Sequence, residues 1–123
     1  FPSQGAELCT VVETIFSFAK ILNSFRDISH ADMIEKLTFN ALPAAISPDM
    51  WSHVYLQQGN QVNSKSVNPY IYVSDGPESN VFGLEPNYGC CTANYHMGWP
   101  QYVSHMFLKT THPGIVAALY GPA

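Results

Sequence analysis

The sequence predicts a mainly α-helical chain of the bundle or α/α-barrel type, broken in its middle by a long polar loop and closed by a short strand. Three observations carry that expectation. Apolar residues recur at three- and four-residue steps through Leu8, Val11, Val12, Ile15, Phe18, Ala19 and Leu22, the pattern of a helix with one buried stripe. A shorter stripe runs through Met33, Ile34, Leu37 and Ala41 and meets Pro43. Between residues 59 and 88 this periodicity gives way to Pro, Gly, Asn and Ser.

Taken in order, the first helix is expected from about Leu8 to Phe25, with Glu7 and Cys9 at its N-terminal end. There the helix dipole favours anionic groups and lowers a thiol pKa. Arg26-Asp27-Ile28 is a connector, and Ser29 three residues before Asp32 resembles a capping box that opens a second, antiparallel helix. That helix stops near Pro43 or, at the latest, at Ser47-Pro48. A short strand is expected within residues 51–58 and another at 70–73, inside the polar loop. A loop of this length in a compact domain is usually functional. After Cys91 a helix capped by Thr92 is expected to run to about Leu108, kinked or split at Gly98-Trp99-Pro100. Residues 114–120 form a continuous apolar run that reads as a buried strand beginning a new layer.

Bulk composition narrows the function classes. Of 123 residues, 46% are hydrophobic and 13% aromatic, but only 11% are charged, against roughly a quarter in an ordinary domain. So little polar surface points to flanks covered by further chain. The N-terminus, with neither an initiator Met nor a signal-peptide pattern, reads as a cut end. A net charge of −4 with no Lys/Arg cluster argues against nucleic acid. No uninterrupted apolar run reaches membrane-spanning length, so no membrane partner is expected.

The chemistry concentrates in Gly89-Cys90-Cys91-Thr92-Ala93-Asn94 and in Glu7-Leu8-Cys9. Adjacent thiols make poor disulfide partners, because the bridge demands a separation that a trans peptide rarely permits. They can share a metal ion if the backbone turns sharply, as Gly89 allows. With Glu7 and Cys9 they form a set of three sulfurs and one oxygen, which suits tetrahedral zinc. Cys9 and Cys90 are 81 positions apart, too far for a zinc-finger knuckle.

The segments Glu7-Leu8-Cys9-Thr10-Val11-Val12-Glu13, Phe39-Asn40-Ala41-Leu42-Pro43 and 82–94, Phe-Gly-Leu-Glu-Pro-Asn-Tyr-Gly-Cys-Cys-Thr-Ala-Asn, resemble glycoside hydrolase family 127, the β-L-arabinofuranosidase group. The resemblance covers essentially the whole chain. It implies the later part of an (α/α)6 barrel over residues 1–110 and the start of a following β-sandwich over 111–123. It further implies one zinc ion held by Glu7, Cys9, Cys90 and Cys91, with Cys90 as the nucleophile of a retaining mechanism. The family's general acid/base glutamate lies upstream of the Glu-x-Cys motif, at a position that would precede Phe1. The 123-residue piece alone is therefore expected to be inactive. Its implied partners are a carbohydrate substrate and the rest of its own barrel.

Outside the motifs, His53, Tyr55, Gln57 and His96 are the candidate sugar-contacting residues, and Trp51, Tyr55, Tyr88 and Trp99 offer stacking faces. The run Gln57-Gln58-Gly59-Asn60-Gln61 supplies either hydroxyl-binding amides or an ordinary solvated turn. The five histidines have no ligand-like spacing among themselves. A second functional class stays open: a non-catalytic, zinc-stabilised or thiol redox module that carries a Cys-Cys pair.

Overall fold

The computed structural model describes residues 4–66, 75–83 and 89–122. A two-residue strand β1 (Ala6–Glu7) leads directly into the long helix α1 (Leu8–Phe25). The buried side chains Leu8, Val11, Val12, Ile15, Ala19 and Leu22 are its expected stripe. The opposite face carries exposed Thr10, Glu13, Ser17 and Lys20. By length and composition α1 could cross a membrane. Its one-sided polarity and its place at the centre of the core are those of an amphipathic core helix. Arg26 ends it in the left-handed conformation (φ 59°), its N–H donating to Leu22 O.

The second helical stretch differs from expectation in two respects. α2 (Ser29–Lys36) begins at Ser29 itself, so the capping box with Asp32 does not form. Asp27 instead accepts from both the backbone N–H (3.0 Å) and the hydroxyl (2.7 Å) of Ser29, a local turn that satisfies an otherwise orphaned donor. The helix then widens into a π turn, Leu37–Ala41, where Leu42 N–H donates to Leu37 O, before a last short turn α3 (Leu42–Ala44). Pro43 has no N–H for Phe39 O four residues back, and the widened turn carries the helix past its ring. The buried stripe is Ile34, Thr38 and Leu42; Met33 is exposed.

The expected strand in 51–58 is shorter than predicted. β2 (Leu56–Gln57) pairs antiparallel with β1, Ala6 opposite Gln57 and Glu7 opposite Leu56. His53 makes isolated bridges to Ile46 and Gly83. The strand expected at 70–73 lies outside the described residues. The region after the cysteines is two helices, α4 (Gly89–Tyr95) and α5 (Gly98–Ser104), divided at His96-Met97. Thr92 lies inside α4 and caps nothing.

The helix expected to reach Leu108 stops at Ser104, because Phe107–Lys109 forms a strand, β3, that pairs with β4 (Ile115–Ala117). β4 is exposed along its length rather than buried. Leu119, just beyond it, enters the core. There Tyr102 OH donates to Tyr120 O, and Tyr120 N–H donates to Glu35 Oε1 at 3.1 Å, tying the last segment to α5 and α2. Among the described residues the architecture is thus a helical framework about α1 with two small antiparallel sheets.

Candidate metal centre

Three segments converge at the N-terminal end of α1. The β1–β2 pair fixes Glu7, and Leu8 N–H donates to Tyr55 O at 2.9 Å just where strand becomes helix. Cys9 follows on the first turn of α1. The second segment, α4, packs on α1 and carries Cys90 and Cys91 on its own first turn. The third runs from His53 to Gln57 and is stitched into the loop by Leu56 N–H to Ser79 O (2.7 Å) and Gly83 N–H to His53 O (3.1 Å).

The result is a cluster. One ligand atom from each of Glu7, Cys9, Cys90 and Cys91 lies within 4.8 Å of all the others, an arrangement able to hold a metal ion. Cys9 Sγ is 3.5 Å from Cys91 Sγ, Cys90 Sγ is 3.9 Å from Cys91 Sγ, and the Cys90 thiol points to Glu7 Oε1 at 3.6 Å. The site has a floor and an opening: Cys91 is buried, Glu7 and Cys9 half-buried, and Cys90 exposed.

Its electrostatics favour protons or a cation. Burial pushes the Cys9 thiol up, while the Asn94 amide, donating to Cys9 Sγ at 3.3 Å, pulls it back. Burial pushes Cys91 far up, and its contact with Cys9 adds to that. Tyr55 is pushed up to about 12, first by burial and then by the adjacent negative charge of Glu7. Its phenol therefore stays a donor beside that carboxylate. Three sulfurs and a carboxylate so close repel one another when ionised, which a shared cation relieves.

The other candidates divide. His53 reaches the cysteine helix, its Nε2 lying 2.7 Å from Thr92 Oγ1, and its buried Nδ1 has no partner among the described residues. Tyr55 stands beside Glu7. Gln57 is committed to the fold, since its amide donates to Ala41 O at 2.7 Å. Gln61 closes its own turn through Asn63 O and Ser64 Oγ and accepts from Gln58 N–H at 3.2 Å, whereas the buried Gln58 Nε2 has no partner among the described residues. His96 is exposed at the end of α4. Trp99 packs edge-on against Phe39, a core role, whereas Trp51 is exposed and Tyr88 lies outside the described residues. Sequence reasoning missed Asn94. Its signal was spacing: four residues after Cys90 and three after Cys91 is the same helix face. Comparison with protein-family models, curated proteins and solved structures returns no match.

Proposed function

We propose that this chain carries the zinc–thiolate centre of a retaining glycoside hydrolase resembling family 127, with residues 1–110 belonging to an (α/α)6 barrel and 111–123 leading into a β-sandwich. The observation that carries the reading is the spacing of the four motif residues. A tetrahedral zinc with bonds of about 2.3 Å to sulfur and about 2.1 Å to oxygen sets its ligands about 3.8 Å apart for two sulfurs and about 3.6 Å apart for sulfur and oxygen. The separations of 3.5 and 3.9 Å between sulfurs and 3.6 Å between Cys90 and Glu7 are close to these values, and the remaining pairs lie within 4.8 Å. Soft sulfur donors in this number favour zinc over the oxygen-seeking cations.

Zinc, when bound, keeps a coordinating thiol deprotonated at neutral pH. Cys90 is the sulfur open to solvent and so the one a sugar can meet. Its thiolate attacks the anomeric carbon, forming a C–S bond as the glycosidic C–O bond breaks. A carboxylic acid, which the resemblance sets before Phe1, gives its proton to the leaving oxygen. Water then displaces the sulfur, handing a proton back to the same carboxylate. Glu7 and Tyr55 form the wall beside the attacking sulfur. β-L-arabinofuranosides or a related sugar are the substrate class the resemblance favours. Assay of the full-length protein on a panel of aryl glycosides tests this: turnover with retained anomeric configuration is expected, and zinc-loaded protein inactive on every glycoside would contradict it.

A further inference from the structure

We propose that Asn94 is a positioning residue of the metal centre, whose amide quiets the Cys9 sulfur and so leaves Cys90 as the reactive one. The inference rests on the reading of Glu7, Cys9, Cys90 and Cys91 as metal ligands. Asn94 Nδ2 lies 3.3 Å from Cys9 Sγ, an N–H···S hydrogen bond across the α1–α4 contact. One turn after the cysteine pair, it projects on the face of α4 that carries them. Asparagine is a mediocre helix former, so helix formation does not account for it there. A donor aimed at a ligating sulfur does.

The three sulfurs are thereby made unequal. Cys9 accepts a hydrogen bond from the Asn94 amide, and Cys91 is buried against Cys9. Cys90, exposed, has Glu7 and Cys91 beside it. A thiolate that accepts a hydrogen bond holds its electron density more tightly and attacks carbon more slowly. The same bond orients Cys9 toward the ion, and outer partners of this kind are typically worth about 10–100-fold in metal affinity. The replacement Asn94→Asp keeps nearly the same side-chain shape but turns an oxygen to the sulfur, exchanging attraction for repulsion.

The test uses full-length protein loaded with cobalt(II), comparing wild type, Asn94→Ala and Asn94→Asp, with far-UV circular dichroism checking the fold. Asn94→Ala should bind cobalt about 10–100-fold more weakly and shift the sulfur-to-cobalt charge-transfer band to longer wavelength. It should also raise iodoacetamide labelling of Cys9 relative to Cys90. Asn94→Asp, closest in shape to the parent, should lose more affinity than Asn94→Ala. Wild-type affinity, band position and labelling ratio in both variants would overturn the assignment while leaving the metal centre standing. A wild-type protein that takes up no cobalt would remove the metal centre itself, and this role with it.

Discussion

Cys9 Sγ, on the first turn of α1, lies 3.5 Å from Cys91 Sγ, 82 residues later on the first turn of α4. That contact joins the two motifs and makes the cluster a property of the tertiary fold. It also has a consequence in pH. Burial holds both thiols above the ordinary range, so each carries a proton at neutral pH that an incoming metal ion must displace. Affinity should therefore rise with pH, by about 100-fold per unit from these two protons alone. Chelator competition at about pH 6.5 and about pH 7.5, on either side of neutrality, measures it. A pH-independent affinity would contradict the geometry.

The second prediction concerns the bond between His53 Nε2 and Thr92 Oγ1, 2.7 Å long, which ties α4 to the loop. Each single replacement, His53→Ala or Thr92→Ala, should cost about 0.5–1.5 kcal/mol in the full-length protein. The double variant should cost less than the sum. Denaturant melts around that cycle check the coupling; strict additivity would show that the two side chains do not cooperate.

Gly98 opens α5 against α3. A Cβ there would stand 2.6 Å from Leu42 Cδ2, and Leu42 is buried. Gly98→Ala should destabilise by about 1–3 kcal/mol through overpacking. Adding Leu42→Val should recover part of the loss, since it shortens the side chain in the way. Thermal melts of the three variants decide it, and an undiminished Gly98→Ala melting temperature would mean the contact is looser than described.

Much of this was legible in the sequence, for physical reasons that differ by element. α1 was readable to its ends because its stripe is local and long. The ligand types were readable because Glu-x-Cys and Cys-Cys offer a distinctive set of donors. The π turn was not readable, since it answers a conflict between Pro43 and Phe39 O that no periodicity displays. Nor was the start of α2: the Asp27 carboxylate, a stronger acceptor than a hydroxyl, captures both donors of Ser29 and leaves it no role as a cap. The strand at Phe107–Lys109 was not separable from the end of the preceding helix, because Met106, Phe107 and Leu108 are apolar in a row and show neither period; pairing with Ile115–Ala117 decides it.

If Cys90 is the nucleophile, a haloacetamide or epoxide sugar mimic should label it in the full-length protein. Its exposure and the burial of Cys91 give the expected selectivity. Peptide mass mapping reads the outcome. Label on Cys91 with Cys90 unmodified would reverse the assignment, and label on a carboxylate would remove the thiolate mechanism.

The central claim is that Glu7, Cys9, Cys90 and Cys91 form one metal site. Elemental analysis of the full-length protein, beside a Cys9→Ala/Cys91→Ala double variant, tests it most directly. The account predicts one zinc per chain in the parent and essentially none in the variant. Stoichiometric zinc retained by the double variant, or a parent protein that holds none, would contradict it.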